Sequence, residues 1–109
     1  MADPRIKPIV IKTGVVTRLS KEKLMYEKEV VDQEAKIEKM KADQKDEYDI
    51  KKQVEVLQES KAMIPDCKRR LTTAHEELKQ LLENEKDLCE VEQYKKAELA
   101  LQNSLPQLS

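Results

Sequence analysis

No tryptophan and no phenylalanine occur in this chain of 109 residues, and tyrosine appears only at Tyr26, Tyr48 and Tyr94. Compact globular cores draw much of their buried area from aromatic rings, so this composition argues against a rounded domain. The lone glycine, Gly14, excludes a Gly-rich phosphate loop. No apolar run approaches the roughly 18 residues that a membrane-crossing helix needs. Met1-Ala2-Asp3-Pro4-Arg5 has no apolar stretch of the secretory kind. Cys67 and Cys89 lack metal-ligand or redox spacing; without an export signal they are expected to be reduced thiols of a cytoplasmic chain. A basic excess of the kind nucleic-acid binders gather on one face is also missing, since 21 basic and 22 acidic residues interleave to a formal net charge of −1.

Charged residues make up 39% of the chain and hydrophobic residues another 39%. Leu, Ile, Val and Met are spaced regularly among Lys and Glu, the mixture of an elongated helical bundle in which each helix buries one stripe. The first segment runs to about residue 41 on the stripe Val16, Leu19, Lys23, Tyr26, Val30, Gln33, Ile37, Met40, alternating steps of three and four. Val15, Leu24 and Val31 broaden it, as contact with two neighbours would require. Asp3-Pro4 resembles an N-cap with a first-turn proline, which would place Pro8 inside the helix; Gly14 weakens the same stretch. The start is therefore expected near residue 5 or near 15, with a frayed or kinked first stretch.

Ala42-Asp43-Gln44-Lys45 reads as a short turn, and Asp46 as the cap of a second helix over about 46–71, with Glu47 and Asp49 favouring its dipole. Its stripe is Ile50, Val54, Leu57, Lys61, Ile64, Lys68, Leu71. Because the register resumes beyond Pro65, the proline is expected to bend this helix rather than end it. Thr73-Ala74-His75-Glu76 fits a capping box and predicts a third helix over about 74–103, with the stripe Leu78, Leu81, Glu85, Leu88, Val91, Tyr94 or Lys95, Leu101. The expected fold is all-α: one domain over 1–109, an antiparallel up-down-up three-helix bundle, rod-like, with its second helix kinked at Pro65.

A thin helical rod encloses little space for catalysis. Alternating Glu and Lys, as in Glu27-Lys28-Glu29, read as a solvated surface rather than an acid/base pair. His75 is expected to be an exposed residue at a helix start, and Cys67 and Cys89 bundle or surface thiols. No residue constellation supports an enzyme.

Several strings carry a family resemblance: Lys12-Thr13-Gly14-Val15-Val16, Met25-Tyr26-Glu27-Lys28-Glu29, Tyr48-Asp49-Ile50-Lys51-Lys52-Gln53, and Leu82-Glu83-Asn84-Glu85-Lys86-Asp87-Leu88. The most distinctive is Met63-Ile64-Pro65-Asp66-Cys67 with Arg69-Arg70-Leu71. Over nearly its whole length the chain resembles the tubulin-specific chaperone A, or tubulin-folding cofactor A, family. That resemblance implies a three-helix rod kinked at a mid-helix proline. It also implies a cytoplasmic, cytoskeleton-associated chaperone that captures β-tubulin after chaperonin release and holds it before αβ-tubulin assembly. No nucleotide, metal or other cofactor is implied, and no nucleic acid, membrane or small-molecule substrate; other tubulin-folding cofactors are possible further partners. A prefoldin-like subunit would need β-hairpins that the break after Met40 is too short and polar to form. A spectrin-repeat-like or BAG-like adaptor module is the alternative, although spectrin-type repeats usually carry a buried Trp.

The resemblance implies that helical faces bind, especially the convex face of the second helix. From the register, its outward positions include Lys52, Glu55, Glu59, Ala62, Asp66, Arg69 and Arg70, with Val56 and Met63 flanking Ala62. Two readings stand for Val56, Ala62 and Met63: an apolar patch ringed by Lys52, Glu59 and Arg70, or the flank of a broad core. The tyrosines are expected to be bundle residues with their hydroxyls at the edge.

Overall fold

The computed structural model describes residues 3–108. Three helices follow in order, α1 (Ile6–Ala42), α2 (Glu47–Asn84) and α3 (Glu92–Ser104), with short 3-10 turns at Lys86–Leu88 and Leu105–Leu108. There is no strand among the described residues. The molecule is an extended rod measuring 65 × 25 × 17 Å.

The frayed start expected for α1 is corrected. The Asp3 carboxylate accepts from the Arg5 N–H at 2.9 Å, and the Asp3 carbonyl accepts from the Ile6 N–H at 3.0 Å. Pro8 is the third residue of the helix, within the first turn, where backbone N–H groups have no intrahelical partner and a missing donor costs little. Ile9, next along, is almost fully buried. At the other end, Lys45 N–H donates to Met40 C=O at 3.0 Å and Gln44 N–H to Lys41 C=O at 3.1 Å. This is a Schellman cap, and Gln44 holds its left-handed position at φ 56° where glycine is the usual occupant.

Asp46 caps α2 as expected, its side chain accepting from the Tyr48 N–H at 2.8 Å. The helix then continues through Pro65 and onward to Asn84, so the boundary expected at 71–74 is also corrected. Thr73, read as a cap, is mid-helix: its hydroxyl donates to the Arg69 carbonyl one turn back. The chain turns between Glu85 and Val91, and the bundle consists of two long helices and one short one.

Cross-helix pairs set the topology. Arg5 reaches Glu85, Lys12 reaches Glu77, and Gln33 Nε2 donates to Gln53 Oε1 at 2.6 Å, so α1 and α2 run antiparallel. His75 meets Leu101 and Tyr94 meets Leu82, so α2 and α3 are antiparallel too. The third helix therefore lies beside only one half of the α1–α2 pair. The principal core lies in that half: Ile9, Val16, Leu19, Leu71, Ala74, Leu78, Leu82, Leu88, Tyr94 and Ala97. Burying each large aliphatic side chain there contributes about 1.5–3 kcal/mol.

The α1 seam is inward along its whole length, but the flank positions Leu24 and Val31 are exposed because α3 does not reach them. On α2, Ser60 and Cys67 turn inward where Lys61 and Lys68 were expected; Lys61 is exposed and Lys68 half-buried. The polar interruptions of the seam are matched. Buried Lys23 donates to Glu27 Oε1 at 3.2 Å and approaches Gln107 Oε1 at 3.5 Å, while Glu85 is held by Arg5.

Candidate partner-binding face

The nine α2 residues singled out from the sequence fall into three rows at seven-residue spacing: Lys52, Glu59, Asp66; Glu55, Ala62, Arg69; and Val56, Met63, Arg70. Residues seven apart stay close to one line on a helix, drifting only about 20° per repeat, so three rows make one continuous strip. Every member is exposed except Asp66, which is half-buried. Val56 is 45% and Met63 37% exposed, which places them outside the core. Of the two readings of these positions, core flank is therefore the one the structure does not support.

Across the helix pair, Tyr26 of α1 completes the setting. It lines a shallow open hollow together with Glu59, Ser60, Ala62 and Met63. Tyr26, expected to be a bundle residue from its place on the α1 seam, is half-buried there and also borders this hollow. Met25, exposed on the same turn of α1, lies off the seam.

Charges on this strip are lightly committed. The Asp66 carboxylate accepts from Arg69 Nη2 and lies 3.3 Å from Arg70 Nε in a second ion pair. The Lys52 ammonium lies 5.4 Å from the centre of the Tyr48 ring. Exposed ion pairs contribute about 0–1 kcal/mol and exposed cation–π contacts about 0.5–1 kcal/mol, so a partner's groups can displace them at little cost.

The remaining candidates are structural. His75 was expected to be exposed at a helix start; it sits in the middle of α2, half-buried, and its ring Nε2 lies 3.1 Å from the Leu101 carbonyl. Because a carbonyl only accepts, that nitrogen carries the proton and staples α2 to α3. The three tyrosines differ. Tyr94 is buried and donates its hydroxyl to the Leu82 carbonyl at 3.0 Å, Tyr26 is half-buried, and Tyr48 is 64% exposed and belongs to no core. Burial pushes the Tyr94 phenol up, with Glu98 adding to the shift. Burial likewise raises the Cys67 thiol, reinforced by the Glu22 and Asp66 carboxylates, so this sulfur is a poor nucleophile.

At the end of the rod that holds the core, Arg5 is shared among Asp3, Glu85 and Asp87, with Arg5 Nη1 to Glu85 Oε2 at 2.7 Å. Its hydrogen bonds hold the Asp3 carboxyl down to about 2 and lower Asp87 as well. The described residues contain no group of three or more His, Cys, Asp or Glu that could hold a metal ion, and no helix long and apolar enough to cross a membrane.

Comparison with known proteins reaches nearly the whole chain. The family model described as tubulin binding cofactor A matches residues 4–101. The curated Gallus gallus tubulin-specific chaperone A is 65% identical over 103 residues, covering 94% of this chain and 95% of that protein. The structure described as human tubulin chaperone cofactor a aligns with a TM-score of 0.78 at 61% identity, covering 92% of this chain and 97% of the other. The crystal structure of tubulin folding cofactor A from Arabidopsis thaliana aligns with a TM-score of 0.81 at 38% identity, over 92% and 94%.

Proposed function

The chain belongs to the tubulin binding cofactor A family, and on that premise we propose that it is a tubulin-folding chaperone that holds β-tubulin between chaperonin release and assembly with α-tubulin. The protein works by binding, without nucleotide or metal, in the cytoplasm and alongside the cytoskeleton. Other tubulin-folding cofactors are its natural exchange partners.

One observation carries the choice of surface. The half of the rod that lacks a third helix displays Val56 and Met63, with Tyr26 beside Met63, in a strip of exposed charges. A holding chaperone needs an interface that is apolar enough to recognise a folding intermediate and polar enough to let it go. Moderate affinity with a fast off-rate follows from small anchors in a wet, charged rim. A bend at Pro65 belongs to the same proposal, since it would present Lys52, Glu55, Glu59, Ala62, Asp66, Arg69 and Arg70 on a convex surface.

The test is co-migration with freshly released, labelled β-tubulin on native gels or size exclusion, with α-tubulin and actin as controls. A selective complex in the absence of nucleotide is expected. In the double variant Val56→Glu, Met63→Glu, the complex should weaken by about tenfold, the loss of roughly 1.4 kcal/mol of apolar contact, while circular dichroism stays unchanged. A stable rod that captures no β-tubulin would overturn the function; unaltered capture by the variant would overturn the surface.

A further inference from the structure

The two charge signs that interleave along the chain are segregated along the rod. Residues 12–23 contain four cations and one carboxylate, and residues 66–77, which lie opposite them, contain three cations and three carboxylates. The antiparallel register, anchored by the Lys12–Glu77 pair, brings these two stretches side by side at the waist of the molecule. The waist therefore carries a formal +3 in a chain whose total is −1. The two-helix tip beyond it, residues 24–65, holds eight cations and eleven carboxylates, a net −3. The opposite end carries the remaining −1.

At the waist α1 and α2 enclose an open groove whose rim includes Lys12, Arg18, Arg69 and Arg70, with Val15 and Leu19 among its apolar lining. Glu22 and Glu77 stand on the same rim but do not saturate it. The Arg18–Glu22 contact is a loose 3.7 Å, and Arg69 and Arg70 divide the single carboxylate of Asp66. The three guanidinium side chains are 63–76% exposed, so most of their N–H donors face water. A guanidinium fork matches a carboxylate in a bidentate pair, which an ammonium cannot do.

We propose that this groove docks a short acidic segment of a partner protein. The stretch 12–23 rises about 17 Å along the helix axis, the reach of about five extended residues. Carboxylates of such a segment engage Arg18, Arg69 and Arg70, and its aliphatic stems lie on Val15 and Leu19. Length decides against a nucleic acid. A regular polyanion longer than the waist would run over the net negative surface at either end, where repulsion offsets what the waist gains. The inference stands apart from the tubulin reading, with which it shares Arg69 and Arg70.

The probe is a fluorescein-labelled pentaglutamate peptide, followed by anisotropy against the full chain. Saturable binding is expected, weakening at least about tenfold as salt rises from about 50 to about 500 mM. The variant Arg18→Glu, Arg69→Glu should lose about tenfold or more in affinity. The variant Lys39→Glu, Lys41→Glu, which alters net charge equally but lies in the tip, should stay within about twofold, the range of surface substitutions. Circular dichroism confirms that each variant is folded, and Arg18→Gln, Arg69→Gln replaces the first if it is not. Absent binding, equal loss in both charge variants, or tighter binding of a single-stranded oligonucleotide would overturn the proposal. β-Tubulin capture is measured on the same proteins. Capture without peptide binding sinks this inference alone, and peptide binding without capture sinks the tubulin reading alone.

Discussion

The half of the rod with three helices and the half with two are made of the same kinds of residue, yet they do different things with them. Where α3 packs, Val16, Leu71, Leu78 and Ala97 are wholly removed from water. In the two-helix tip, Ile37 is the one buried hydrophobic residue among those described, and Leu24, Met25, Val31, Tyr48, Val56 and Met63 are exposed. A helix with two neighbours can bury a wide stripe, whereas a helix with one neighbour buries only a seam. The three-helix half is therefore the anchor of stability. The tip is the place where apolar side chains remain available to another protein. Val10, Ile11, Leu99 and Leu105 are exposed in the anchored half too.

The largest effect that tests this division is a paired truncation. Leu78→Ala should cost about 3–4 kcal/mol, the range for a sealed core cavity, while Ile37→Ala should cost about 1–2 kcal/mol because water and neighbouring side chains can relieve the gap. Urea unfolding of both variants measures it. Equal costs would mean that the tip is as tightly packed as the anchored half.

A smaller effect is expected at the far end of the tip. Gln44 occupies a left-handed backbone conformation at φ 56°, disfavoured for any residue with a Cβ by about 1–2 kcal/mol. Gln44→Gly should stabilise the chain by about 0.5–1 kcal/mol, since glycine's larger unfolded-state entropy offsets part of the gain. Thermal unfolding would show the rise. No change would mean that the tip opens before the rest of the molecule unfolds, which would sharpen the contrast between the halves.

The smallest effect belongs to the Arg5 clamp, which is partly exposed and screened. Asp3 and Asp87 have lowered folded-state pKa values because Arg5 hydrogen-bonds them. Their contribution is therefore present above the ordinary carboxylate value near 4 and is lost as pH falls through about 2 for Asp3. In Arg5→Ala that part of the acid dependence should flatten between about pH 4 and 2, read by denaturation at stepped pH. An unaltered profile would show that the clamp adds nothing to the anchored end.

Legibility in the sequence divides along the same lines. Every position of the α1 stripe is buried or half-buried, and Asp46 caps α2 as its residue type indicated. The inward residues Leu78, Leu88 and Tyr94 were identified although they were assigned to one helix and belong to three elements. The error lay in the break. Thr73-x-x-Glu76 has the pattern of a capping box, but a threonine hydroxyl can equally bond one turn back inside a helix, and Thr73 does so. The true turn at 85–91 contains neither glycine nor proline. It is held by Tyr94, whose hydroxyl takes the Leu82 carbonyl, and by Arg5, some eighty residues away along the chain. The strip on α2 was placed by register alone, whereas Tyr26 and the basic waist emerge only when α1 is laid beside it.

Helix formation, the buried stripes and the caps at Asp46 and Lys45 are determined by the sequence itself, because each rests on periodicity or on hydrogen bonds among residues a few positions apart. Where α2 ends, how far α3 reaches, which apolar residues stay exposed and where the cations converge were decided by the tertiary structure. Those features depend on contacts between residues twelve to more than eighty positions apart, and no local pattern encodes which of two helices a side chain will meet.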